Sequence, residues 1–175
     1  VNRQTVASAA NSAHAAGDIV KAGPAGPISR GAVMPEVSVS ASVAAPADRV
    51  WAVITDFDRF SEWNVIHTAF PDGGPAELAV GAEYTEKLTL MGMPAEAAWT
   101  VTEVEAGRSY RLRGKGPMGT SLSQRYVLAD EGEGTLVTVE NEFKGTAVNM
   151  MAARVKDATT TALTESLRKL ATLVA

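Results

Sequence analysis

Cysteine is absent from this 175-residue chain, so no disulfide can staple it and no thiolate can serve as nucleophile or metal ligand. Histidine is nearly absent: His14 lies in an Ala- and Ser-rich leader, and only His67 falls within the patterned part of the chain. That leaves no set of ligands with metal-binding spacing, and no metal is expected. Apolar runs long enough to cross a bilayer are missing, so no membrane span is expected. A dominant charge sign is missing too: the net charge of −4 comes from interspersed acids and bases, a pattern that does not favour nucleic acid. The lack of thiols leaves the redox compartment open while suiting a reducing cytosol, and the cytoplasm is the expected location. Gly114-Lys-Gly-Pro-Met-Gly119 spells GxGxxG, but a dinucleotide fingerprint must open a helix, and the strand-like run Thr120 to Ala129 follows instead. No cofactor is expected.

Two regions differ in composition. Residues 1–35 are rich in Ala, Ser and Gly and include Gly23-Pro-Ala-Gly-Pro27, which offers little to bury and reads as a flexible leader. Its segment Thr5 to Lys21 carries no sustained apolar stripe and is too polar for a secretory signal. Met34 is the expected natural start. Residues 36–175 are patterned as one globular domain, a size at which roughly 70 % of the unfolded chain's surface is buried.

Within that domain Val37 to Ala44 alternates as a strand, and Pro46 with Asp48 starts a helix through Thr55 that turns Val50, Val53 and Ile54 inward. Phe57, Phe60 and Trp63 recur every third residue, the apolar edge of a second short helix. Further strands are expected over Val65–Phe70, Glu83–Leu90, Glu96–Val104, Ser109–Gly114, Thr120–Ala129 and Thr135–Lys144, joined by turns short enough for an antiparallel meander. From Ala147 the period becomes helical, with Val148, Ala152, Val155, Thr159, Leu163, Leu167, Leu170 and Val174 on one face. A helix with one broad apolar face needs a curved sheet to cover it. The expected fold is α+β: a curved seven-stranded antiparallel sheet wrapped around a long C-terminal helix, with two short helices after the first strand.

That order of elements, with Asp56-x-x-Arg-Phe-x-Glu-Trp63, resembles the START-like, helix-grip or SRPBCC superfamily, and within it the bacterial polyketide cyclase/dehydrase and lipid transport proteins. Glu62-Trp-Asn-Val-Ile-His67 and Gly92-Met-Pro-x-x-x-x-Trp99 look like a subgroup described as toxins of type II toxin–antitoxin pairs. The resemblance implies a long pocket between sheet and helix that holds an apolar molecule. It carries over no fixed catalytic motif.

Candidate residues follow from the alternation. Tyr84, Glu86 and Leu88, then Leu122, Gln124 and Tyr126, then Val139, Asn141 and Phe143 each share a face. With Trp99, Met151 and Val155 they are the expected ligand-binding set. Glu86, Gln124, Tyr126 and Asn141 would be polar groups in an apolar cavity, each costing about 1–3 kcal/mol if unpaired, so they must bond to one another, to water or to a guest. Two turns and the start of the last helix fall at one end of the sheet, which would gather Met91, Met93, Met118 and Met150 with Met151 into an adaptable apolar portal, or into ordinary caps over the core. His67 is the natural general acid or base, although the sequence identifies no carboxylate partner for it. Asp56 and Arg59 suit a cap or an ion pair, while Trp51 and Trp63 suit packing. Arg111, Arg113 and Lys115, with Arg108 and Arg125, would project from the convex face, solvated or facing an acidic partner.

The leading expectation is therefore a binding protein, not an enzyme: a carrier of a small hydrophobic, lipid- or polyketide-like molecule. One alternative is a metal-free cyclase in which His67, Glu86 or Tyr126 moves a proton. Another is a toxin that acts through macromolecular contact, with an antitoxin or a second copy of the chain as partner.

Overall fold

A computed structural model describes residues 35–175. The leader expected over residues 1–35 and the start expected at Met34 lie outside the described residues, except for Pro35. Its carbonyl accepts from Phe143 N at 3.0 Å, so the sheet already begins there.

Strand β1 (Glu36–Val43) buries every second residue, Val37, Val39, Ala41 and Val43, as its alternating sequence dictates. Pro46 then fixes the entry to helix α1 (Ala47–Ile54), which turns Val50, Val53 and Ile54 inward. Asp56 caps a 3₁₀ turn over Phe57–Arg59 by accepting from Asp58 N at 3.2 Å, and α2 (Phe60–Trp63) follows. Arg59 pairs with Glu62 at 2.8 Å rather than with Asp56. Six strands complete the sheet: β2 (His67–Ala69), β3 (Glu83–Leu90), β4 (Met93–Glu105), β5 (Ser109–Lys115), β6 (Ser121–Glu131) and β7 (Gly134–Lys144). Their spatial order is β1-β7-β6-β5-β4-β3-β2, all neighbours antiparallel. The meander thus runs from β2 to β7, and β1 closes it along β7. A register shift between Val101 and Glu103 inserts an extra residue into β4, the kind of irregularity that bends a sheet.

The closing helix differs from expectation. It is broken at Met151 (φ −116°, ψ 18°) into α3 (Thr146–Met150) and α4 (Ala152–Val174), and the break sends two adjacent methionines to different environments. Helix α4 lays Val155, Thr159, Leu163, Leu167, Leu170 and Val174 against the sheet's concave side. Ser166 ties it to the loop before β2: its hydroxyl donates to Ala162 O at 2.8 Å and accepts from Val65 N at 3.0 Å. None of the helices among the described residues is long and apolar enough to cross a membrane.

On the convex side the basic strip is not bare. Glu103, Arg111, Arg125 and Glu140 stand opposite one another across four neighbouring strands. Arg111 lies 3.5 Å from Glu103 and Arg125 lies 3.7 Å from Glu140. That row is neutral, so Arg111 and Arg125 are each balanced by a carboxylate.

Candidate functional site

The concave surface is divided in two. Under α1, α2 and the C-terminal half of α4 it is solid: Trp63 meets Tyr126 edge-on at 6.2 Å, Tyr126 stacks on Tyr110 at 4.7 Å, and Trp51 meets Tyr110 edge-on. Towards the turns Met91–Gly92 and Pro117–Gly119 the helix stands clear of the strands, leaving a cavity of about 360 Å³. That volume lies within the range of small-molecule sites.

Nine of the expected residues line this cavity: Glu86, Leu88 and Trp99 from β3 and β4, Leu122, Gln124, Asn141 and Phe143 from β6 and β7, and Met151 and Val155 from the helix. Three do not. Tyr126 and Val139 share the predicted face but lie in the solid half, each about 1 % exposed, because α1 and α2 pack over that end. Tyr84 instead borders a second, more open cleft of about 740 Å³ formed with the Asp72–Ala76 loop, Arg113 and Lys115. The mixed and open character of that cleft makes it the weaker candidate.

Four methionines gather at one mouth of the cavity. Met91, Met93, Met118 and Met151 line the opening. Met150 is 83 % exposed on the outer side of the helix break and takes no part in it. Met91 and Met118 both have positive φ (54° and 56°), each followed by a glycine that does too. A type I′ hairpin turn demands that backbone at both central residues and normally fills the first with Asn or Asp. Both turns carry an apolar side chain where a polar one would be less strained.

His67 has the partner that its sequence surroundings conceal. Its Nδ1 lies 2.9 Å from Glu86 Oε1, and Trp99 Nε1–H donates to Glu86 Oε2 at 2.8 Å. The carboxylate is therefore gripped on both oxygens, and the imidazole is wedged between Phe70 (4.2 Å) and Phe60 (5.2 Å). Glu86 reaches the cavity wall while His67 sits behind it. Trp99 is itself positioned from below by Gly114, its partner across β4 and β5, whose missing side chain leaves room for the indole. Burial first, and the negative charge of Glu86 second, push the Tyr84 and Tyr126 hydroxyls well above the usual phenol range; Tyr110 is raised as well, by burial and then by its neighbouring tyrosines.

Of the four polar groups expected to need partners, Glu86 finds its own in His67 and Trp99. Asn141 Oδ1 and Thr159 Oγ1 are buried on the cavity wall without a hydrogen-bond partner among the described residues. Thr159 belongs to the helical stripe legible in the sequence, yet it was not among the expected ligand contacts. Asn64 also lines the cavity, and its Oδ1 starts β2 by accepting from Ile66 N at 3.0 Å and His67 N at 3.3 Å. Among the described residues no cluster of three metal-ligating side chains occurs.

Comparison with known proteins agrees with this architecture. Residues 34–175 match the family described as "Polyketide cyclase / dehydrase and lipid transport". A curated relative, toxin Rv0910 of Mycobacterium tuberculosis, is 25 % identical over 115 residues, covering 66 % of this chain and 80 % of the relative. Among solved structures, a protein of Chromobacterium violaceum aligns with a TM-score of 0.65 at 17 % identity, over 80 % of this chain and 96 % of its own. A START superfamily protein of Mycobacterium smegmatis aligns with a TM-score of 0.60 at 18 % identity, over 80 % and 99 %. At such identities the likeness is one of fold.

Proposed function

Since the chain belongs to the polyketide cyclase/dehydrase and lipid transport family, we infer that it binds and carries a small hydrophobic molecule in the cavity between sheet and helix, working in the cytoplasm. The observation that carries this reading is the half-enclosed volume of about 360 Å³ whose wall is mainly apolar, with Ala, Pro, Val, Ile, Leu, Met, Phe and Trp making up 17 of its 26 residues. Filling it removes apolar surface from water at roughly 25 cal/mol per Å². The methionine rim supports it, since unbranched thioether side chains repack around guests of different shape. Titration with the neutral dye Nile red tests it. Saturable, one-to-one binding is expected, and Leu122→Trp, which places an indole in the cavity, abolishes it. Unchanged dye binding in Leu122→Trp would overturn the reading.

Catalysis is a second reading, favoured by the His67–Glu86 pair at the wall. In a cyclase-type reaction Glu86 would take a proton from a bound chain while His67 steadies the charge. The toxin reading rests on the name of the M. tuberculosis relative. Growth arrest on induction, relieved by a co-expressed partner, would carry it, and undisturbed growth would remove it.

A further inference from the structure

Among the described residues, every charged residue bordering the cavity is a carboxylate, and no Lys, Arg or His lines the space. Glu86 lies within, whereas Glu96 and Glu142 alternate with the inward-facing Ala97 and Asn141 and send their side chains to the other face of the sheet. Glu142 has a cation 3.8 Å away in Lys144, but Glu86 is held by an imidazole and an indole N–H, neither of them a fixed positive charge. An anionic head group entering this space would meet like charge in a poorly solvated setting, where repulsion is strong. A second, independent feature points the same way. Asn141 is only 7 % exposed, yet its amide oxygen finds no donor among the described residues, and it sits beside Gln124 across the β6–β7 ladder. A buried acceptor left empty costs free energy, which a donor on a guest recovers. Glu86 has spare acceptor capacity as well, because each carboxylate oxygen can take more than one hydrogen bond.

We propose that the guest is a non-anionic amphiphile whose polar head donates hydrogen bonds, an amine or a hydroxyl, with Glu86 as the residue that admits it and excludes carboxylate- and phosphate-headed lipids. This rests on the binding role proposed above and names the chemistry of its ligand. Glu86 is the selectivity element, and Asn141 receives a second donor where the guest has one.

The test displaces Nile red with three probes of equal chain length at neutral pH and low salt: decylamine, decan-1-ol and decanoate. Decylamine and decan-1-ol are expected to displace the dye at concentrations at least about tenfold below that of decanoate. Glu86→Gln, whose amide oxygen can still accept from Trp99 while its NH2 donates to His67 Nδ1 in the Nε2-protonated tautomer, is expected to bring the three within roughly threefold of one another. Glu96→Gln, which removes an exposed carboxylate on the other face of the sheet, is the control and is expected to leave the gap within about twofold of its original size. Decanoate binding as well as decylamine in the unsubstituted protein overturns the inference and leaves the binding role standing. A gap untouched by Glu86→Gln overturns the assignment to Glu86. Dye that none of the three displaces overturns the binding role along with it.

Discussion

Replacing Gly114 with alanine should damage the site from beneath the Trp99 indole, on the same face of the sheet. A Cβ at that position would lie 2.6 Å from Trp99 Cε3, 2.8 Å from Cζ3 and 3.0 Å from the Ala98 carbonyl oxygen. Carbon atoms rest about 3.5–4.0 Å apart, so the overlap is on the order of 1 Å. β5 cannot retreat, because it is bonded on both sides by β4 and β6, and the indole must yield. Its displacement strains the Nε1–H bond to Glu86, now 2.8 Å. Overpacking alone costs about 1–3 kcal/mol, and loss of a hydrogen bond to a charged acceptor costs about 1.5–3 kcal/mol. A total of roughly 2.5–6 kcal/mol corresponds to a fall in Tm of about 7–18 °C in a domain of this size. Urea and thermal unfolding followed by circular dichroism measure it. The decisive arm is the double-mutant cycle with Trp99→Leu, in which Gly114→Ala should cost less than about 1 kcal/mol because the ring it strikes is gone. A cost for Gly114→Ala below about 0.5 kcal/mol, or an equal cost with and without the indole, would refute the reasoning.

Two further outcomes follow from the same geometry. All three tyrosines have hydroxyls raised in the folded state, whereas in the unfolded chain they ionise near pH 10. The folded protein then holds more protons than the unfolded one above that pH, so the stability these phenols contribute is intact below about pH 10 and drains away as pH climbs. Absorbance at the tyrosinate band should rise only together with loss of the circular dichroism signal; normal ionisation near pH 10 in a native fold would contradict the burial. Met91→Asn gives the β3–β4 turn the residue its positive φ prefers and should stabilise the fold by roughly 0.5–1 kcal/mol while weakening guest binding. A variant no more stable than the original in urea titration would show that the turn is not strained.

What the sequence announced, and what it concealed, divides along a physical line. Strands such as β1 and β3 were legible because one face is buried, and the period-two pattern survives in the residues themselves. β4 starts at Met93 rather than the expected Glu96, since Pro94 reads as a turn residue yet sits at the exposed end of the ladder opposite Thr89. Alternation correctly placed Tyr126 and Val139 on the concave face. It could not tell that α1 and α2 fill one half of that face and leave the other hollow, because that depends on how helices dock. The His67–Glu86 pair was hidden for a related reason: it depends on the register of β2 against β3, where His67 faces Leu88 across an irregular connection that no local rule determines. The broken helix at Met151 escaped notice because neither proline nor glycine marks it, although the break is what separates Met151, at the mouth, from Met150, in solvent.

Methionine-methyl NMR during addition of decan-1-ol tests the hollow directly, since the rim residues Met91, Met93, Met118 and Met151 surround its opening while Met150 points away. A guest lodged between sheet and helix should shift the four rim methyls together, saturating near one equivalent, and leave Met150 in place. Shifts that grow without saturation, or that fall on Met150 as much as on the rim, would mean that the space beneath the helix is not a binding site.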